Sequence, residues 1–230
     1  MLTIVLAESE LERIPDSLFR HQTIVSSAQK RMKKPVEILL DSNYHHSAMR
    51  NLSEWERRGR PDIVHLFLLV TLESIVNKKN FLRVIVHTRN NEMITFNPTT
   101  RIMRNYDRFV GLMEQLFEKQ VIPNEEKPLI TLTKDKKLFQ IVTQDSYDYV
   151  IAFSSEGKHV NLPTFFTDVQ KKKKENILCI IGGFPKGDFR NDVSELSDEV
   201  VSIYPEMVPA WTVANEVVVN YENIFLPEKF

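Results

Sequence analysis

The sequence predicts an α/β fold: a largely parallel sheet flanked by helices, with a β-hairpin added at one edge. Two observations lead to the sheet. Apolar runs of strand length alternate with helix-like segments, and the links between them are mostly short. A third observation, two strand-like runs on either side of Asn90-Asn91, leads to the hairpin.

Each element follows from its residues. The opening Met1-Leu2-Thr3-Ile4-Val5-Leu6-Ala7-Glu8 has no basic lead and no long apolar core, so it reads as a first strand over 2–7 and not as a signal peptide. Asp16, an N-cap type of residue just after Pro15, starts a helix expected over 16–30. A strand is expected over 36–40 and a helix over 63–77. The hairpin runs are 81–87 and 93–96, an insertion around 78–100. A helix over 106–119 follows. Residues 122–135 are polar and hold Pro123 and Pro128; they suggest a hinge, though a short one for a linker between independent domains. Then come strands at 149–153, 177–181 and 200–204 and helices at 162–174 and 212–224. With no internal repeat or low-complexity tract, residues 1–230 are expected to form a single domain.

Composition narrows the class. The 230 residues are 42% hydrophobic and 27% charged, enough for a core without metals or disulfides. The single cysteine, Cys179, lies in an apolar run and reads as a small buried hydrophobe. It excludes an intrachain disulfide and a Cys-rich zinc site, and suits a reducing, cytoplasmic setting. No apolar run is long enough to cross a membrane. A net charge of −1 gives no general attraction to nucleic acid, so any such binding must come from local clustering.

The glycines are clustered. Three of six fall in Gly182-Gly183-Phe184-Pro185-Lys186-Gly187, directly after the apolar run 177–181. Glycine serves where the backbone turns sharply or is closely approached. The loop is not a dinucleotide fingerprint, because Gly182-Gly183-Phe184 breaks that spacing. Nor is it a phosphate-binding P-loop: Asp188 and Phe189 follow Gly187, and Pro185 has no N–H to offer. It is either a tight turn or the rim of a site for a ligand without phosphates. Two other strand ends resemble it, at Ser154-Ser155-Glu156-Gly157 and at Pro205-Glu206-Met207-Val208-Pro209. Loops after neighbouring parallel strands converge on one sheet edge, where such folds bind ligands. Phe184, Tyr204, Met207 and Trp211 are candidates for apolar walls or for plain core.

Arginine is clustered too. Arg57-Arg58-Gly59-Arg60-Pro61-Asp62 stands at the mouth of an apolar helix, with Asp62 placed to clamp Arg60 through charge-assisted hydrogen bonds. Further on, Arg104 and Arg108 share a face if a helix begins near Asn105, and Arg101 extends the row. Arginine suits phosphate contact and base stacking; surface salt bridging is the other reading. Lys171-Lys172-Lys173-Lys174 closes a helix, either against its dipole or for nonspecific phosphate contact. Adjacent His45 and His46 do not point the same way on a helix, and no ligand set at metal spacing is visible, so no metal site is expected. Asp41 or Ser42 reads as a helix cap, and His65 as a packed helix residue.

Taken together, Leu40-Asp41-Ser42-Asn43-Tyr44-His45, Arg58-Gly59-Arg60-Pro61-Asp62-Ile63, Asn97-Pro98…Arg101…Arg104-Asn105-Tyr106…Arg108-Phe109, Ile181-Gly182-Gly183-Phe184-Pro185 and Ala210-Trp211-Thr212-Val213 resemble the nucleolar essential protein family. These are pseudouridine N1-specific methyltransferases of small-subunit ribosomal RNA, within the SPOUT superfamily. The match runs from the first strand to the final helix, with the motifs in family order, and the chain resembles the archaeal members. Residues 122–137 and Lys171–Lys174 match no part of the family pattern.

The resemblance implies a C-terminal trefoil knot, a rare exception to unknotted chain paths. It also implies a homodimer and S-adenosylmethionine bound against the three loops. Donor contacts would fall to Phe153, Ser154, Gly182, Gly187, Ser202, Ile203, Tyr204, Pro205, Glu206, Met207 and Val208, with Phe184 beside them. Arg60, Arg101, Arg104 and Arg108 match the positions that contact ribosomal RNA. Asp62 matches the position that steadies Arg60, a role preferred here to that of general base. Arg60 and Arg104 are the candidates for stabilising charge on the base during transfer. The partners implied are small-subunit ribosomal RNA and ribosomal proteins. A ribosome-assembly factor whose methylation is secondary is the competing expectation.

Overall fold

The computed structural model describes residues 1–226. Five strands run parallel: β1 (Leu2–Ser9), β2 (Leu82–Thr88), β6 (Tyr149–His159), β7 (Ile177–Gly182) and β8 (Glu199–Ser202). Three more, β3 (Met93–Phe96), β4 (Val121–Ile122) and β5 (Ile130–Thr133), run antiparallel at one side. The sheet order is β4-β5-β3-β2-β1-β7-β6-β8. The first hairpin strand, β2, therefore lies inside the parallel sheet against β1, and only β3 turns back. The edge addition is larger than the hairpin. Residues 122–135 are not a hinge, because β4 and β5 complete the sheet there.

Helices carry the crossovers. Between β1 and β2 come α1 (Gln22–Lys30), α2 (Ser42–Met49), α3 (Pro61–Leu72) and α4 (Ile75–Lys78). After β3 come α5 (Tyr106–Lys119), α6 (Leu138–Thr143), α7 (Leu162–Lys171) and α8 (Ala210–Phe225). Four expectations change. Residues 36–40 are no strand: Pro35–Glu37 is a 3-10 turn, and only Leu39 bridges, to Arg13. The helix expected over 16–30 is broken. Asp16 begins a short 3-10 turn without capping it, and α1 starts afresh where the His21 ring accepts from Thr23 N–H. The helix expected over 63–77 starts at Pro61 and restarts at Ile75, capped by Ser74. The helix expected over 162–174 stops at Lys171, and Lys173 turns with φ 57°.

Both faces of the sheet are covered, as a parallel sheet requires. Leu2, Ile4 and Leu6 of β1 join one core with Phe67, Phe109 and Phe166 from α3, α5 and α7. Val5 and Ala7 point to the other face, with Leu178 and Ile180 of β7 and Leu138 and Ile141 of α6. Each such fully buried side chain contributes about 1.5–3 kcal/mol of transfer free energy. A third cluster ties α1 to α2 through Ile24, Ala28, Ala48 and Met49.

The C-terminal third has an unusual chain path. Strand β6 pairs with β8 at Phe153, leaves it, and pairs again at Lys158, both residues facing Val201. Gly157 permits the crossing: a Cβ there would lie 2.6 Å from the Val201 carbonyl carbon. Val160 N–H then donates to the Ser202 carbonyl at 2.9 Å. The strand expected over 149–153 thus runs on to His159, so residues 154–157 are no loop, and the middle of β6 meets the segments after β7 and β8 at one edge.

Candidate active site

The middle of β6 and the ends of β7 and β8 enclose a cavity of about 290 Å³. Phe153, Ser154 and Ser155 line it from β6, residues between Ile181 and Phe189 other than Gly183 and Lys186 from the end of β7, and residues between Val201 and Val208 other than Pro205 from β8. Pro209, Ala210 and Trp211 close it at the start of α8, and Arg60 and Ile63 reach it from the start of α3. Of the residues expected to hold a donor, Phe153, Ser154, Gly182, Phe184, Gly187, Ser202, Ile203, Tyr204, Glu206, Met207 and Val208 all lie on its wall; Pro205 does not. Among the described residues lining it, Arg60 is the one cation, and Asp188 and Glu206 are the carboxylates.

The glycine loop is built by the protein's own packing. A Cβ on Gly182 would lie 2.5 Å from the Phe184 ring, and one on Gly183 would lie 2.5 Å from Ser9 Oγ and 2.8 Å from Ser9 Cα. Gly183 is held by β1 on both sides: its N–H donates to the Ala7 carbonyl and its own carbonyl accepts from Glu10 N–H. Gly187 turns the chain with φ 77°.

Beneath the loop lies a charged scaffold. The Arg57 guanidinium sits 3.8 Å over the Phe184 ring. It donates to Glu8 and Glu10, each at 2.9 Å, and to the Asp188 carbonyl at 2.6 Å. The Glu8 carboxylate also accepts from Arg190 N–H, Asn191 N–H and Asn191 Nδ2. Glu8, 2% exposed, thus ties the end of β1 to residues 190–191. Ser154 Oγ donates to Asp188 Oδ2 at 3.0 Å, joining β6 to the segment after β7. Arg58 is committed elsewhere, forked onto Glu12 at 2.7 Å through both Nε and Nη2. Two of the three clustered arginines are therefore internal.

Arg60 is different. Its Nε and Nη2 donate to Asp62 Oδ1 and Oδ2 at 2.8 and 2.7 Å, in the clamp the spacing suggested. This hydrogen-bonded pair pushes the guanidinium pKa up, so Arg60 keeps its charge. Its backbone N–H donates to the Glu10 carbonyl. Asp41 lies near enough for its charge to act on Arg60, and Tyr106 is a neighbour of both. Tyr106 Oη donates to Asp41 Oδ2 at 2.6 Å, and Asp41 Oδ1 caps α2 through Asn43 N–H. Burial raises the Asp41 pKa, opposed by these hydrogen bonds. The same burial, with Asp41 alongside, drives the Tyr106 pKa far up.

Arg101, Arg104 and Arg108 do not enter the cavity; all three are exposed. Their segment is pinned from within. Ile102 is buried in the core, and His65 Nε2 donates to the Met103 carbonyl at 2.7 Å while its ring stacks on Phe109. Asn105 caps α5 by accepting from Arg108 N–H. His45 is fully buried. Its Nδ1 accepts from Asp41 N–H and its Nε2 meets Ser27 Oγ, and burial lowers its pKa to about 4. Cys179 is buried, and its thiol is pushed far up.

Several wall residues were not expected. Asp188 had served only as an argument against phosphate, although its position after Gly187 places it on the wall. Ser155, Pro185, Phe189 and Ala210 also line the cavity. Glu8 and Glu10 gave no local signal, because their partners are 47 to 183 residues away.

The family profile described as EMG1/NEP1 methyltransferase matches residues 4–222. The chain is 49% identical over 223 residues to the ribosomal RNA small subunit methyltransferase Nep1 of Methanothrix thermoacetophila, covering 97% of this chain and 96% of that protein. It is 48% identical over 221 residues to the protein of that name from Pyrococcus furiosus, covering 96% of each. The crystal structure of Archaeoglobus fulgidus Nep1 bound to S-adenosylhomocysteine aligns with a TM-score of 0.84 at 36% identity, over 97% of this chain and 98% of that one.

Proposed function

The chain belongs to the EMG1/NEP1 methyltransferase family, and we propose that it methylates N1 of a pseudouridine in small-subunit ribosomal RNA. The coarser activity, S-adenosylmethionine-dependent methylation of ribosomal RNA in ribosome biogenesis, is that of the family. One observation carries the finer reading. Arg60 lines the cavity, and the exposed arginines 101, 104 and 108 flank its neighbour Tyr106 along the chain, two before it and one after. A donor site and an RNA track would then meet at one guanidinium.

The residues present fit S-adenosylmethionine. The cavity is near the lower end of the range of about 300–1,000 Å³ usual for small-molecule sites. Its walls are mostly apolar, and its two carboxylates suit a ligand that is cationic and carries no phosphate. When bound, S-adenosylmethionine supplies an electrophilic methyl group on a sulfonium. Phe153, Ile203, Val208 and Trp211 would hold its apolar and aromatic parts, and Asp188 and Glu206 would face its charged ones. The main chain of the loops after β7 and β8 would fix its orientation, and such positioning supplies much of the rate of a group transfer. On the RNA side, Arg60 would orient the target base and, with Arg104, stabilise the negative charge left as the N1 proton departs to solvent water. Asp62 acts through Arg60, because both its oxygens are engaged by that side chain.

This reading carries a C-terminal trefoil knot, a homodimer and a cytoplasmic enzyme that meets ribosomal proteins on a growing subunit. The crossing of β6 over β8 at Gly157 supports the knot. Helix α3 is apolar around its circumference and leaves Leu66 exposed, which supports a second copy packed against it. The activity test is transfer of labelled methyl to a ribosomal RNA hairpin containing pseudouridine, beside the same hairpin containing uridine. Label in the first alone is expected. Equal labelling of both removes the N1 assignment, and no labelling of either leaves an RNA-binding assembly factor.

A further inference from the structure

Resting on the reading that Arg101, Arg104 and Arg108 meet RNA, we propose that the groove between α1, α2 and α5 takes a single-stranded RNA segment flanking the target. The groove, about 810 Å³, opens beside that row. Lys30, Arg31, Lys33, Tyr44, Asp107 and Gly111 line it.

Gly111 is the observation that calls for a ligand. It stands in the middle of a 14-residue helix, where glycine is unfavourable. A Cβ there would meet nothing within 4 Å, so packing does not exclude alanine. Arg108 and Gly111, three apart on α5, are neighbours on its surface, and Arg104 stands just before the Asn105 cap. The row ends in bare backbone, open to close approach.

The rest of the groove has the chemistry of a strand-binding surface. Tyr44 is 49% exposed, and the Arg31 guanidinium lies 5.5 Å from its ring centroid. An aromatic face beside a cation is a platform on which bases stack with little regard to sequence. Arg31 and Lys33 meet the one Glu114 carboxylate at 3.0 and 2.7 Å, so two cations are fixed by a single anion. Lys30 adds a third positive charge. Asp107, which accepts from Tyr44 Oη–H at 3.4 Å, is the other acid of the groove, leaving it positive on balance in a chain of net charge −1. A basic, aromatic groove continuous with an arginine row favours a nucleic-acid strand over an acidic peptide.

Fluorescence anisotropy on the intact protein tests this with two RNA probes. One is the pseudouridine-containing hairpin; the other is that hairpin with a short unpaired tail on its 5′ or its 3′ side. One of the tails is expected to tighten binding roughly tenfold. Tyr44→Ala and Gly111→Gln should each abolish that gain and leave hairpin and S-adenosylhomocysteine affinities unchanged, whereas Tyr44→Phe should keep it. Melting curves and the unchanged hairpin affinity report whether each variant folds. A hairpin that binds but gains nothing from either tail, or a gain that survives both substitutions, overturns the groove and leaves the arginine row standing. Failure of both probes to bind the unmodified protein overturns the arginine row and the groove with it.

Discussion

Arg60 and Asp62 face each other across a two-pronged contact of 2.8 and 2.7 Å at the start of α3, with Arg60 also forming part of the cavity wall. One residue therefore belongs to two surfaces, and the fork sets its pose before any ligand arrives. Arg60→Ala is expected to weaken RNA binding by about 1.5–3 kcal/mol, roughly ten- to hundredfold, with a much smaller loss of S-adenosylhomocysteine affinity. Arg60→Lys should recover little, since an ammonium cannot make the fork. Isothermal titration with each ligand checks this; equal loss of both affinities would refute the division of labour.

The Glu8–Arg57 pair reaches the cavity from below. Removing one member of a buried pair costs about 3–5 kcal/mol, so Arg57→Ala should lower the urea midpoint strongly. Glu8→Gln is milder. It keeps the shape but halves the acceptor capacity facing Arg190, Asn191 and Arg57, so S-adenosylhomocysteine binding should weaken more than RNA binding does. Equal affinities in Glu8→Gln and the unmodified protein would show that residues 188–191 hold their shape without it.

Two glycine-to-alanine changes should have opposite signs. Gly183→Ala drives a Cβ against Ser9 and should destabilise by about 1–3 kcal/mol. Gly111→Ala enters open space on a helix and should stabilise by up to about 1 kcal/mol. Thermal melts of both variants decide; a fall in melting temperature for Gly111→Ala would mean that the helix face there is not free.

His45 should make the fold acid-sensitive. Its pKa is held at about 4 against an ordinary 6.5, because it is buried and its Nδ1 must stay unprotonated to accept from Asp41 N–H. The depressed value means that the stabilisation is present above pH 6.5 and is lost as pH falls toward 4. The loss is on the order of 3 kcal/mol. Denaturant titrations from pH 7 to pH 4 should show this loss in the unmodified protein and a flatter profile in His45→Asn. Identical slopes would remove His45 as the cause.

Local signals read well where one element carried all of them. Helix α5 was legible at both ends from its apolar spacing, and the Asn105 cap came with the structure. The parallel strands were legible as apolar runs. Strands β4 and β5 were not, because two and four residues in a polar stretch have no period to detect. The glycine loop was found, but for a reason that needed adjusting: Gly182 and Gly183 make room for Phe184 and Ser9, and the cavity opens beside them. The arginine cluster at 57–60 looked uniform in sequence. It divides because Glu8, Glu10 and Glu12 claim Arg57 and Arg58 from the far end of β1.

Spacing within a few residues was enough to set most of the strands and the longer helices, the Arg60–Asp62 clamp, the cap at Asp41 or Ser42 and the family motifs, since each depends on neighbours along the chain. Which loops share a cavity, which arginines are spent inside the protein and which remain outside, and why His45 stays neutral depended on the folded chain. Those outcomes rest on contacts between residues tens to hundreds of positions apart, and on burial, which exists only once the sheet and its helices have closed on each other.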